Sequence, residues 1–160
     1  MSAAIELHVR AAAPADLIFV AAAHESAHTA RQEARGGAVD SLQHSHAAAG
    51  KGHWEAYLGA PDSSALLIGE LDGKPVGFAA VELVRLAPEF SMASITSLWV
   101  HMDARGVGVG SALMGEIEAH AHKWGADGLD SRALPGDRAT KNFFESFGLV
   151  ARSISVHRSL

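Results

Sequence analysis

The feature that most constrains the fold is a run of three alternating glycines between a predicted strand and a predicted helix. The run lies within residues 98–111, which read LWVHMDARGVGVGS. Glycines let backbone approach a ligand closely, and a helix N-terminus offers unpaired N–H groups at the positive end of its dipole. Successive N–H groups in such a turn bind anions. The segment therefore predicts a diphosphate-binding loop. The alternative is a glycine-rich turn that connects the strand to the helix and binds no ligand.

The spacing of the glycines decides which kind of phosphate loop this is. A Walker A motif needs a Lys that is absent here, and the dinucleotide pattern GxGxxG meets Ser111 or Leu113 at its last glycine. The pattern that fits is [Q/R]-x-x-G-x-[G/A], in residues 105–110. After a strand that ends Leu98-x-Val100, it resembles the acetyl-CoA signature of the GNAT acetyltransferase family.

A second segment supports the resemblance. Members of that family usually carry N-x-x-A-x-x-F-Y-E-x-x-G-F, and residues 137–149 here read DRATKNFFESFGL. The hydrophobic and glycine positions are kept, whereas the polar positions differ. The resemblance implies a single domain over residues 1–160 with an α+β fold. It implies a mixed, mostly antiparallel sheet of six to seven strands, splayed at the acetyl-CoA site and flanked by about four helices.

Hydrophobic periodicity and turn residues agree with that order of elements. Asp72-Gly73 is a strong hairpin signal between two apolar runs, and Pro14 suits the first turn of a helix. Asp137 is a good N-cap for the last helix, and Gly148 a good C-cap. The predicted strands cover residues 5–9, 66–71, 76–84, 92–100 and 129–134, with an extended segment over 149–158; the predicted helices cover residues 14–30, 40–49, 108–124 and 139–147.

The resemblance also implies how the cofactor binds. Acetyl-CoA is the expected co-substrate, and its acetyl group would pass directly to a primary amine of a small molecule or a peptide, in a ternary complex. The strand end would offer backbone groups to the pantetheine arm, and the loop would donate N–H groups to the diphosphate, with the Arg105 side chain bracing the loop. The expected cofactor-binding residues are Leu98, Trp99, Val100, Arg105, Gly106, Val107, Gly108, Val109, Gly110 and Ser111.

The expected catalytic groups of the family are missing from their usual places. Where a Glu or Asp base often stands, the strand holds Ser94, Thr96 and Ser97, and Phe144 stands where the acid is commonly a tyrosine. A thiolate with a pKa of about 8.5 leaves without much help, so the missing acid is tolerable. Glu82 is the candidate base if it faces inward, against the alternative of a solvent-facing strand carboxylate. Ser97 is the candidate hydroxyl for the acid's role.

The acceptor pocket is expected in the variable segment before the hairpin. His28, His44 and His46 are candidates to line it, because an imidazole titrates close to neutral pH. Trp54 is a candidate to form one wall of the pocket; the alternative is that it packs in the hydrophobic core.

Two other functions compete with acetyl transfer. Residues 24–28 read HESAH, which matches the HExxH motif of zinc metallopeptidases and lies on a predicted helix. A random match of this motif has a chance of roughly 4% in a chain of this composition. No downstream helix offers an obvious third ligand, although His44 and His46 leave one open, and no metal is expected. A module that binds acetyl-CoA without turnover is the other alternative, because the usual acid and base are absent.

Charge and composition exclude several classes of partner. The net charge is −5, so no basic field attracts nucleic acid, and the chain has no cysteine for disulfides, thiol nucleophiles or metal ligation. No apolar run reaches the length of a membrane span, and residues 1–10 do not resemble a signal peptide. We therefore expect a cytoplasmic protein that acts on an amine, and the sequence leaves a homodimer open.

Overall fold

A five-stranded sheet organises the fold of the computed structural model, which describes residues 4–44 and 50–160. The strands lie in the order β1-β2-β3-β4-β5, and every neighbouring pair is antiparallel except β4 and β5, which run parallel. The strands are β1 Leu7–Ala11, β2 Ser64–Leu71, β3 Lys74–Ala87, β4 Phe90–Val100 and β5 Gly128–Asp130. The helices are α1 Leu17–Glu33, α2 Gly37–Gln43, α3 Lys51–Gly59, α4 Val109–Lys123 and α5 Arg138–Ser146.

The predicted mixed α+β fold is confirmed, with small differences in the number of elements. The described residues form five strands and five α-helices, where six to seven strands and about four helices were expected. The additional helix is α3, whose sequence KGHWEAYLG has a weak amphipathic pattern. The final segment forms no strand: it is joined to β5 through side chains, by Arg152 Nε donating to Asp130 Oδ1 at 3.0 Å.

Local signals placed the turns and caps correctly. Asp72 and Gly73 both have positive φ, 50° and 73°, which is the conformation that the tight β2–β3 hairpin requires. Asp137 caps α5, because its carboxylate accepts from the Thr140 N–H at 3.0 Å.

The sheet buries a hydrophobic cluster on each of its faces. On one face, α4 packs Leu113 and Ile117 against Ala79 and Val81 of β3. On the opposite face, α1 and α3 cover the sheet with the buried side chains Val20, Trp54, Phe78 and Ile68 among others. This second face carries Trp54, which the sequence predicts as a candidate wall of the acceptor pocket, and for that prediction alone it is called the acceptor face below. Within the described ranges, no helix combines the length and the apolar character needed to cross a bilayer.

Candidate functional site

The glycine loop leads directly into the N-terminus of α4. Gly106 and Gly108 have φ values of 81° and 98°, and Gly108 is the residue that precedes the helix. Only glycine adopts this region without strain, so the alternating glycines turn the chain sharply after β4. The loop residues 105–108 are exposed, whereas Val109 is buried. The first N–H groups of α4 have no intrahelical partner, so they are available to donate to an anion at the exposed loop.

Three close contacts fix the start of α4 on the sheet and beside α5. A Cβ on Gly69 of β2 would lie 2.7 Å from Val109 Cγ1, and one on Gly77 of β3 would lie 3.3 Å from the same atom. A Cβ on Gly110 would lie 3.1 Å from the Phe143 ring. The sequence analysis missed Gly69 and Gly77, because single glycines within strands do not reveal which helix approaches them.

Arg105 braces the loop against the strand that precedes it. Its Nε donates to the Val100 carbonyl oxygen at 3.0 Å, at the end of β4. The guanidinium therefore lies at the mouth of the loop, where its charge also favours an anion.

β4 and β5 separate just before the loop. The two strands pair only from Met92–Gly128 to Ser94–Asp130, whereas β4 continues to Val100. On its other side β4 stays paired with β3 through Leu98, Trp99 and Val100. Within the described residues, no strand pairs with the opposite edge of residues 96–100. This edge is open to an extended ligand that would add to the sheet in the manner of a strand.

A hydrogen-bonded group of three side chains lies on the acceptor face beside this separation. The Tyr57 hydroxyl of α3 donates to Glu82 Oε1 of β3, and lies 2.8 Å from Thr96 Oγ1 of β4. Thr96 also lies 3.3 Å from the Ala80 carbonyl oxygen. Burial, and then the bond to the Glu82 carboxylate, raise the pKa of Tyr57, so the phenol is neutral at neutral pH.

A β-bulge explains why Thr96 reaches this group. Ala80 pairs with Ser97 and Val81 pairs with Ile95, so Thr96 is an extra residue in β4. Ser97 is half-buried opposite Ala80, whose side chain packs on the acceptor face. Glu82 is half-buried and its carboxylate accepts from Tyr57, so it faces α3 rather than open solvent. Tyr57 was missed by the sequence analysis, since α3 was not predicted.

The candidate pocket residues are dispersed. Trp54 is 1% exposed and belongs to the core of the acceptor face. His28 is half-buried on α1 and stacks on His24 at a ring distance of 6.4 Å. His44 is exposed at the end of α2, 3.3 Å from Asp40, and His46 lies outside the described residues.

The HExxH segment lies on α1, as predicted. Across residues 4–44 and 50–160, no three His, Asp, Glu or Cys side chains are placed to hold one metal ion. His24 instead contacts the Trp54 ring at 5.1 Å, so this histidine packs against the core. Phe144, at the position of the family's usual acid, is 8% exposed within the α4-side core.

Comparison with known proteins gives one family and a set of shared folds. The sequence model described as the acetyltransferase (GNAT) family matches residues 27–149. No curated protein matches the chain. A solved structure of a BH1408 tetramutant from Bacillus halodurans is 18% identical with a TM-score of 0.79, and covers 96% of this chain and 99% of its own.

Two further solved structures with the same fold carry names that describe an activity. The aminoglycoside N-acetyltransferase AAC(6')-Iy in complex with CoA is 15% identical with a TM-score of 0.73, over 99% of this chain and 98% of its own. A ribosomal-protein-alanine N-acetyltransferase from Brucella melitensis is 16% identical with a TM-score of 0.66, over 97% and 99%. At these identities the likeness establishes the fold.

Proposed function

Because the chain belongs to the GNAT family of acetyltransferases, we propose that it transfers the acetyl group of acetyl-CoA to a primary amine. Enzymes of this family use acetyl-CoA as co-substrate. The observation that carries the proposal is the continuity between the open edge of β4 and the glycine loop that follows it. Such an edge and loop suit a ligand that is extended at one end and carries a diphosphate at the other.

The proposed role of each cofactor-binding residue depends on whether it lies on the open edge of β4 or in the glycine loop. The backbone of Leu98 and Val100 would hydrogen-bond the pantetheine arm along the open edge, with Trp99 between them in the same strand end. Residues 106–111 would donate N–H groups to the diphosphate, with the charge of Arg105 beside them. The thioester would then lie near the bulge at Thr96, where the two strands separate.

Glu82 is the proposed base. A neutral amine attacks the thioester carbon, a C–N bond forms, and the C–S bond breaks to release the CoA thiolate. The amine's proton passes to the Glu82 carboxylate, directly or through water, and the thiolate leaves unassisted or takes a proton from water. The position of Glu82 on the acceptor face supports this role. Ser97, next to the bulge, remains the candidate hydroxyl for protonating the thiolate.

The acceptor is proposed to be a small molecule, or a peptide, that carries a primary amine. The net charge of −5 favours a cationic acceptor, and two structural neighbours are named for aminoglycosides and for a ribosomal protein. We place the enzyme in the cytoplasm as a single domain over residues 1–160, alone or as a homodimer, with no nucleic-acid or membrane partner. His28, His44 and His46 are the proposed variable lining of the acceptor site, and Trp54 supports it from the core.

Calorimetry with CoA tests the cofactor site. Gly110→Glu should abolish measurable binding, because its Cβ meets the Phe143 ring and its carboxylate repels the diphosphate. Gly115→Glu is the matched control: it adds the same charge to the same helix at an exposed glycine with open space around it, and should bind CoA as the wild type does. Unchanged affinity in a folded Gly110→Glu protein would disprove the assignment of the loop.

A screen of primary amines for CoA thiol release tests the transfer itself. Turnover with at least one amine, with intersecting initial-rate patterns, is expected for direct transfer in a ternary complex. CoA binding without turnover on any amine would favour the alternative of a non-catalytic acetyl-CoA-binding module.

A further inference from the structure

We propose that Tyr57 is the positioning residue for Glu82: its phenol fixes one carboxylate oxygen so that the other faces the acceptor amine. This inference rests on the proposed function, in which Glu82 accepts the amine's proton. It adds a residue on α3 that lies outside the glycine loop and outside every motif recognised in the sequence.

The hydrogen bonding leaves one oxygen of the carboxylate available. Tyr57 donates to Oε1, and among the described residues no hydrogen bond reaches Oε2. A Glu side chain on a strand rotates about three bonds, so a carboxylate held at one oxygen has far fewer orientations than a free one. An amine that approaches Oε2 therefore meets an acceptor of fixed direction, which is the condition for efficient proton transfer.

The phenol is itself held rigidly. Tyr57 is 5% exposed, and its ring lies 5.6 Å from the Trp54 ring and 5.5 Å from that of His53. Because the buried phenol is neutral at neutral pH, its one proton is available for the Glu82 carboxylate. Its oxygen remains free to accept from the Thr96 hydroxyl at 2.8 Å.

Thr96 connects this arrangement to the cofactor site. As the extra residue of the bulge, it lies just beyond Ser94, the last residue of β4 that pairs with β5. Tyr57 thus contacts both the proposed base on β3 and the part of β4 beside which the thioester would lie. The separation between base and thioester is then set by one side chain that touches both strands.

The tyrosine titration tests the contact without any assay of activity. Tyr57 is the only tyrosine in the chain, so tyrosinate absorbance reports this phenol alone. Replacing the carboxylate by Glu82→Gln removes a negative charge, and the tyrosinate transition should move to lower pH. The His53 ring, 5.5 Å from the Tyr57 ring, is present in both proteins, so the difference between them reports the Glu82 carboxylate. An identical transition in the two proteins would refute the contact and the proposal.

Kinetics test the positioning role. Tyr57→Phe removes only the hydroxyl, and should lower kcat by about 10- to 100-fold while the acceptor KM and the CoA affinity stay nearly unchanged. Ser64→Ala is the matched control, since the Ser64 hydroxyl bonds the Tyr57 carbonyl oxygen and anchors the end of α3 without touching the phenol. We expect wild-type kcat for Ser64→Ala. An equal loss of kcat in both variants would show that Tyr57 acts only as a structural residue, which would overturn the positioning role.

A double variant separates positioning from direct catalysis. In the Glu82→Gln background, Tyr57→Phe should cause little further loss, because the phenol acts through the carboxylate. Fully additive losses would overturn the proposal, since Tyr57 would then act on the reaction independently. If wild-type protein acetylates no amine, the proposed function fails and the positioning role fails with it. An altered titration in an active enzyme, together with wild-type kcat in Tyr57→Phe, overturns the positioning role alone.

Discussion

The conformation of Gly108 makes a quantitative prediction about the glycine loop. Gly108 has φ 98° and ψ 1°, and a Cβ built there meets nothing closer than Leu7 Cδ1 at 3.6 Å, an ordinary contact. The cost of Gly108→Ala is therefore purely the cost of holding an L-residue in the left-handed region, about 1–2 kcal/mol. The same change at Gly115 has the opposite sign. Gly115→Ala fills an exposed position inside α4 and should stabilise the protein by about 0.5–1 kcal/mol.

The two variants should thus differ in unfolding free energy by about 1.5–3 kcal/mol. For a chain of this size, 1 kcal/mol corresponds to roughly 2–4 °C in Tm, so the two Tm values should separate by about 3–12 °C. Urea unfolding followed by far-ultraviolet circular dichroism gives the free energies, and differential scanning calorimetry gives the Tm values. A Gly108→Ala protein as stable as Gly115→Ala would refute the reasoning, because it would show that residue 108 does not need positive φ.

Three further predictions concern the ion pair between Asp16 and Arg10, the protonation of the leaving thiolate, and the metal content of the protein. Asp16→Asn should lose about 1–3 kcal/mol of stability at neutral pH, since Asp16 accepts from Arg10 at 2.7 and 2.9 Å. Those bonds hold the pKa of Asp16 below its usual range. Its contribution to the free energy of unfolding is therefore full above about pH 4 and is lost as the pH falls further. Acid unfolding of the wild type and of Asp16→Asn will measure this loss. Phe144→Tyr should change kcat by less than about threefold, because the CoA thiolate barely needs an acid. Metal analysis should find no stoichiometric zinc, and acetyl transfer should survive chelators; one zinc per chain, lost in a His24→Ala, His28→Ala variant, would instead favour the peptidase interpretation.

The conformation of the glycine loop was predictable because its signals are local. The strand end, the alternating glycines and the helix start lie within 14 consecutive residues, and the backbone angles of Gly106 and Gly108 follow from residue type alone. The hairpin at Asp72-Gly73 and the cap at Asp137 are local in the same sense. Each of these features needs only neighbouring residues to take its conformation.

The surroundings of Glu82 depend on pairings that neighbouring residues do not determine. The sequence around Glu82 on β3 also fits a solvent-facing strand carboxylate. The environment of Glu82 depends instead on Tyr57, 25 residues earlier, and through Tyr57 on Thr96, 14 residues later. The bulge that brings Thr96 into place is a property of the pairing between β3 and β4. The helix that carries Tyr57 has too weak an amphipathic pattern to reveal itself.

This contrast also bears on how the site accommodates a different acceptor. In the proposed function, the glycine loop binds a constant ligand, the diphosphate, through backbone N–H groups that most substitutions leave in place. The Glu82 carboxylate, by contrast, is held by the Tyr57 side chain of α3, which in turn contacts Thr96 of β4. A change in the packing of Trp54 of α3 against Tyr57 or Phe78 would move the phenol, and with it the direction in which Glu82 faces the amine. We therefore expect substitutions in the α3 core to change acceptor turnover while CoA affinity stays constant, which a comparison of kcat with calorimetric Kd will measure directly.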